Sequence, residues 1–330
     1  MRKLLPVSAV VWMLFATACG SSTGNHNASN TGAGGASGQS AGLTSVKVDV
    51  IPVIDVAPLY LGYEKGIFAK HGIKLKLNVV QTGAAAAAAV ISGEDQFGFA
   101  APVPEIQAQA QGLPLVVVAN AISQGKGLDQ AIVAKAGSSM SSAKDLNGKI
   151  VAVNALRAVN ELVVRAVVDK QGGDAKSLKF IALPYPDMQS ALASGRIDAA
   201  YLIEPFLSAG VAAGDKVVIA NPQEAWVGPQ TTYSSYFAKA SYINDNPTVV
   251  KNFVAAVNEA NTYADAHPNE VRSIIATYTN ISASITSKIQ IGNYATGLDT
   301  HTYTVMSQEM VNLGWIKSYP NLTTLLYKSP

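Results

Sequence analysis

Apolar and polar positions recur along this chain with two periods. Between 73 and 80 the period is two: Ile73, Leu75, Leu77 and Val79 share a face opposite Lys74, Lys76 and Asn78, the pattern of a half-buried strand. Short apolar runs predict further strands at 46–53, 97–101, 115–119 and 129–134, with helices between them at 59–70, 83–93 and 104–111. Thr82 supplies a hydroxyl cap where the alanine-rich helix opens. A turn and short helix follow at 138–147, with Ser142 three residues before Asp145 as a capping box. The series then repeats, with strands at 149–153, 178–183, 198–203 and 216–220 and helices at 159–171, 188–194 and 205–213. Leu162, Val163, Ala166 and Val167 line one side of the helix at 159–171. From Asn246 onward the pattern turns helical, over 247–266, 268–278, 284–291 and 300–313. Strands alternating with helices indicate parallel sheets with covered faces. Two such halves and a helical tail predict an α/β chain of two lobes, with any ligand at the carboxyl ends of the strands.

The first forty-five residues follow neither period. Met1-Arg2-Lys3, an apolar run over 4–18 and small residues before Cys19 are the parts of a secretory signal. Ala16-Thr17-Ala18-Cys19 resembles a bacterial lipobox, so 1–18 is expected to be a lipoprotein signal peptide and Cys19 the lipidated residue. The segment 20–42 is almost wholly Ser, Thr, Gly, Asn, Ala and Gln, too polar to bury a core. Residues 19–45 therefore read as a lipid-anchored tether, with a reach of about 25 to 30 Å if it behaves as a Gly/Ser coil. Without Arg2 and Lys3 the formal charge of +2 becomes zero, which leaves no basic field for nucleic acid. Spending the chain's one cysteine on the anchor removes disulfides, thiolate metal sites and thiol nucleophiles together.

Several stretches are similar to a known family. Asp55-Val56-Ala57-Pro58-Leu59-Tyr60-Leu61-Gly62 with Glu64-Lys65-Gly66-Ile67-Phe68 resembles the first strand-to-helix segment of bacterial ABC-importer solute-binding proteins of the nitrate, sulfonate, taurine and thiamin-precursor type. Thr82-Gly83, Gly98-Phe99-Ala100-Ala101-Pro102 and Leu146-Asn147-Gly148-Lys149 continue the resemblance in order. So do Pro186-Asp187-Met188, Gly195-Arg196-Ile197-Asp198 and Glu204-Pro205-Phe206. The resemblance implies a type II periplasmic-binding-protein fold, its two lobes joined by two crossings and closing on a small ligand. Lobe 1 would comprise 46–134 and 237–330, and lobe 2 would comprise 135–236. It also implies a monomer that takes a small solute, a sulfonate, taurine, nitrate or pyrimidine precursor, to an ABC permease and its ATPase.

Candidate ligand contacts sit at predicted strand ends. Thr82 and Gly83 open a helix whose first N–H groups can meet a ligand oxygen. Asp55 can accept from a ligand donor, and Ala101 and Pro102 allow close backbone approach. In the second lobe Asn154 and Arg157 form a fork of donors, with Tyr185, Asp187 and Glu204 at two further strand ends. Tyr60, Tyr201, Trp226 and Tyr233 are stacking candidates. Glu161 and Arg165, four apart on one helix, read as a local ion pair.

Catalysis finds little support. Ser141-Ser142-Ala143-Lys144 has an S-x-x-K spacing without the partner motifs of that chemistry, and the four histidines never fall at i,i+4. No metal or cofactor motif appears. The competing expectation is a lipid-anchored hydrolase or sensor module using the same cleft.

Overall fold

The computed structural model describes residues 42–229, 231–294 and 296–327. The predicted signal, Cys19 and the tether as far as residue 41 lie outside the described residues. Ten strands among them build two sheets: β1 (Thr44–Val50), β2 (Ile73–Val79), β3 (Phe97–Ala100), β4 (Leu115–Ser123), β5 (Gln130–Ala134), β6 (Ile150–Val153), β7 (Lys179–Ala182), β8 (Ala199–Ile203), β9 (Lys216–Ala220) and β10 (Thr232–Lys239). The first sheet has the order β2-β1-β3-β10-β4 and the second β7-β6-β8-β5-β9. The alternation predicted at 73–79 is realised in its first half, with Ile73 and Leu75 buried and Lys74 and Lys76 exposed, whereas Leu77 is half-buried and Val79 is exposed at the strand's end. β1 starts at Thr44, two residues before the expected start of the body, because Thr44 already pairs with Ile73.

Each sheet contains one strand running against its neighbours. β5 is antiparallel to β8 and β9, and β10 is antiparallel to β3 and β4. Both are the first strand after the chain changes sheets, over 124–129 outward and 228–231 on return. A chain that leaves at the carboxyl end of one sheet and enters the next from the same cleft side must run the opposite way there. The two crossings touch, the Gln124 N–H donating to the Thr231 carbonyl at 2.9 Å. These strands correct the boundaries expected from sequence: β5 belongs to the second sheet, not to 46–134, and 232–236 belongs to the first, not to 135–236.

β10 was not expected at all. Thr232-Tyr233-Ser234-Ser235-Tyr236 reads as polar, yet every residue from Thr232 to Ala238 is buried. The hydroxyls of Tyr233, Ser234 and Ser235 are satisfied by groups far away in sequence. Ser234 Oγ donates to Asp55 Oδ2 at 2.6 Å, and Ser235 Oγ donates to Glu105 Oε1 at 2.6 Å. Tyr303, from the C-terminal helix Thr300–Asn312, donates to the other oxygen of Glu105 at 2.6 Å.

Other differences have local causes. The helix expected at 59–70 breaks into Ala57–Glu64 and Ile67–Lys70 because Gly66 takes a left-handed conformation, φ +71°. The helix expected at 188–194 begins earlier, as Tyr185–Ala193. The helix expected at 284–291 is one turn, Ala283–Thr286, after which the chain reaches β4, where Ser123 and Asn293 exchange backbone hydrogen bonds at 2.8 and 3.0 Å. That approach needs two glycines, since a Cβ on Gly125 would lie 2.7 Å from the Gly292 Cα. The capping box of Ser142 and Asp145 and the Glu161–Arg165 ion pair, at 2.8 Å, form as predicted.

The long helix Pro247–Ala266 covers the first sheet. Its Phe253 stacks on Phe97 at 3.8 Å between centroids and meets Tyr236 edge-on at 6.1 Å. Phe253→Ala is expected to lower unfolding stability by about 3–5 kcal/mol, read from urea denaturation; a loss below about 1 kcal/mol would show that the sheet does not depend on this contact.

Candidate functional site

The carboxyl ends of the parallel strands in both sheets converge on a partly open cavity of about 100 Å³. On the same water-centre measure one water needs about 10–15 Å³, so there is room for a small solute. The first sheet contributes Asp55 after β1, Thr82 and Gly83 after β2, and Ala101 after β3. The second contributes Asn154 and Arg157 after β6, and Tyr185 after β7. The two crossing strands add Gln130 from β5 and Tyr233 and Ser234 from β10. Both lobes therefore supply walls to the same chamber.

Each of these groups is held from behind. Asp55 sits in a tight turn, Ile54–Val56, buried and bound by the Ser234 hydroxyl. Thr82 Oγ1 accepts from the Ala85 N–H at 3.2 Å, capping Gly83–Ser92 so that this helix points its N-terminus at the cavity. Asn160 donates to Tyr185 Oη at 2.8 Å, Tyr201 donates to Gln130, and Tyr233 donates to Asp129 Oδ1 at 3.1 Å. Burial pushes the Tyr185 and Tyr233 phenols well up, so both stay neutral hydroxyls. Asn154 Oδ1 is buried with no hydrogen-bond partner, an acceptor in the wall.

Arg157 is on the cavity lining, exposed, and one of its guanidinium N–H groups is engaged. It donates to the Trp315 carbonyl at 3.3 Å and lies over the Trp315 ring, 5.3 Å from the centroid. Its backbone carbonyl accepts from Gln107 Nε2 at 2.9 Å, and its N–H donates to Glu161 at 2.7 Å. The residue has a positive φ of 52°, a conformation these contacts hold in place. Arg157 thus lies on the lining where the sequence placed it, and it also links the loop after β6 to Gln107 and Trp315.

Four further sequence candidates fall outside the cavity lining. Tyr60 stacks on Tyr278 at 4.1 Å. Pro102 is buried at the first position of the helix Pro102–Ala110, and it is Pro104 that lines the wall. Asp187 is exposed in the first turn of Tyr185–Ala193. Glu204 turns its carboxyl back onto Ser208, 2.7 Å from Oγ and 3.1 Å from the N–H, while its carbonyl takes the Ile54 N–H at 3.1 Å. Of the two remaining aromatic candidates, Tyr201 lines the cavity and Trp226 does not. Sequence reasoning missed Phe99, Gln107, Gln130, Asn160, Gln223 and Ser234. Gln130 and Ser234 lie on the two crossing strands, a placement that only the sheet order reveals.

A cavity built from equivalent strand ends of two sheets, each with one reversed strand, is the arrangement the sequence resemblance implied. The chain belongs to the NMT1/THI5-like family, which it matches over residues 53–271. A Brucella abortus (strain 2308) protein named only as a binding protein is 24% identical over 267 residues, 78% of each chain. The bicarbonate-binding protein CmpA of Synechococcus elongatus is 31% identical over 96 residues, 26% of this chain and 21% of CmpA. The fold is that of the periplasmic aliphatic sulphonate binding protein SsuA from Escherichia coli, with a TM-score of 0.71 at 16% identity, covering 86% of this chain and 92% of SsuA. The periplasmic nitrate-binding protein NrtA from Synechocystis PCC 6803 is similar too, with a TM-score of 0.68 at 17% identity over 84% and 83% of the two chains. The family's relatives named here are binding proteins.

Burial raises four carboxyls at and behind the cleft. Asp55 and Asp129 are pushed up to about 6, Glu204 to about 7, and Glu105, behind the cavity, to about 8, against ordinary values of 3.8 for Asp and 4.5 for Glu. In this window the folded chain holds protons that the unfolded chain has released. The stability these groups contribute is therefore fully present below about 4 and is lost as pH rises through 6 to 8. The melting temperature of the unliganded protein is expected to fall between pH 5 and 8, and Glu105→Gln is expected to flatten the upper part of that fall in scanning calorimetry.

Proposed function

We propose that this protein is the extracytoplasmic solute-binding lipoprotein of an ABC importer. It captures one small solute between its lobes and delivers it to a membrane permease driven by an ATPase. The observation that supports this most directly is the chamber walled by strand ends from both sheets, because a solute there bridges the lobes and favours their closed arrangement. The contact set is Asp55, Thr82, Gly83, Ala101, Asn154, Tyr185 and Tyr233, with Arg157 holding the closed lobes together. The solute belongs to the range its relatives' names span, from sulfonate and nitrate to bicarbonate, or to the thiamin-precursor pyrimidines that the resemblance implies.

Cys19 and the tether complete the proposal. A lipid on Cys19 holds the body at the outer face of the membrane, within reach of the permease. Cys19→Ala is expected to move the expressed protein from the membrane fraction to the soluble one; unchanged membrane recovery would remove the anchor from this reading.

Capture is tested by thermal shift against ethanesulfonate, taurine, nitrate, bicarbonate, benzoate and 4-aminopyrimidine. A true solute at a hundredfold excess over Kd stabilises the protein by about 2.7 kcal/mol without being consumed. Gly83→Val places a Cβ 2.8 Å from the Ala100 Cβ and narrows the wall, so binding is expected to fall at least tenfold, whereas Asp187→Ala leaves it unchanged. Product formation from the bound compound would replace capture with the hydrolase reading.

A further inference from the structure

A second cavity, about 260 Å³ against about 100 Å³ for the first, adjoins it. Two segments of the chain alternate between them. After β1, Ile51 and Val53 line the first cavity and Pro52 the second; on β8, Tyr201 and Ile203 line the first and Leu202 the second. Successive residues of an extended chain point to opposite sides, so these segments form a partition with a chamber on each face. Tyr185 lines both chambers. The second is also walled from both lobes, by Pro52 and the turn after the helix Pro268–Tyr278 on one side, and by the helices Tyr185–Ala193 and Phe206–Ala212 on the other.

Its chemistry differs from that of the first chamber. No charged side chain lines it among the described residues, and much of its wall is the rings of Pro52, Tyr185, Pro186, Phe206 and Tyr278. Tyr278 and Thr279 spend their hydroxyl hydrogens on the Val53 and Ile275 carbonyls, at 3.0 and 2.8 Å. Tyr185 turns its hydroxyl to Asn160, which lines the first chamber and not the second. Two amides are left, Gln189, half-buried, and Asn280, exposed, neither side chain hydrogen-bonded among the described residues. A charged ligand would lose its water here with no counter-ion to meet it. A flat neutral ligand exchanges that water for ring contacts and has an amide at which to satisfy one polar group.

We propose that this chamber is a second binding site, for a small neutral aromatic compound with one hydrogen-bonding group, and that its occupant draws the lobes together. The site goes beyond the capture reading, because its ligand is neither the transported solute nor a competitor for the first chamber. An occupant that touches walls of both lobes keeps all its contacts only when those walls face each other, so it binds the closed arrangement better and shifts the chain toward it. Ligands of the two chambers then favour each other's binding by the same factor.

Indole is the probe, titrated into the full chain by calorimetry while small-angle X-ray scattering follows the radius of gyration. It is expected to bind and to lower that radius. Ala209 lines the second chamber alone, so Ala209→Phe fills it and is expected to weaken indole at least tenfold, with the melting temperature confirming the fold. Gln189→Ala removes the free amide and is expected to weaken indole about threefold. Gly83→Val narrows the first chamber and leaves indole affinity unchanged. Indole lost in Gly83→Val but kept in Ala209→Phe and Gln189→Ala occupies the first chamber, which overturns the second site and leaves capture standing. Absence of indole binding overturns the proposal too, as does binding that leaves the radius unchanged; capture is decided separately by the thermal-shift panel.

Discussion

A carboxylate withdrawn from water must be met by donors or keep its proton, and that constraint governs the centre of this molecule. Asp55 and Glu105 are both buried, and neither has a basic side chain beside it. Both are answered by neighbouring residues of β10, Ser234 toward the cavity and Ser235 toward the C-terminal helix. Consecutive residues of a strand point to opposite faces, so one short polar sequence serves two acids on two sides of a sheet. With hydrophobic residues at those positions Asp55 would lose its side-chain donor and Glu105 would keep only Tyr303, a penalty of about 1–3 kcal/mol for each lost bond.

The cavity inherits its character from this arrangement. Its walls come from loops, but the loops are short and start from strands pinned in two sheets, so the chemistry sits on rigid supports. Asp129 at the first crossing accepts from Tyr233 of β10 and from the Gly125 N–H, at 3.1 and 3.2 Å, tying the crossing to the wall of the site. Arg157, on the lining, adds a second layer by reaching Gln107 and Trp315, both outside its own sheet.

How much of this was legible depended on sequence distance. The parallel strands and their helices follow from local periodicity, and the rule that sites lie at strand ends located Asp55, Thr82, Gly83, Ala101, Asn154 and Tyr185 before any coordinates. β10 was illegible because its polar residues are satisfied by partners 179 and 130 positions away, and no local pattern marks a serine as a core residue. Arg157 was placed on the lining correctly, but its contact with Trp315, 158 residues further on, was illegible for the same reason. Glu204 was misread at short range: the serine four residues later takes up its carboxyl in the first turn of the following helix.

The exchange of strands between sheets also sets an order of assembly. β10 lies inside the first sheet, between β3 and β4, yet it is synthesised only after the whole second sheet. While the chain emerges, the first lobe has a gap in its middle where two strand edges wait for a partner, and Asp55 and Glu105 wait with them. The second lobe has all five strands by residue 220 and can pack first. The lobe that contains β1 is thus the last to be finished, and the segment that finishes it also completes the wall of the cleft.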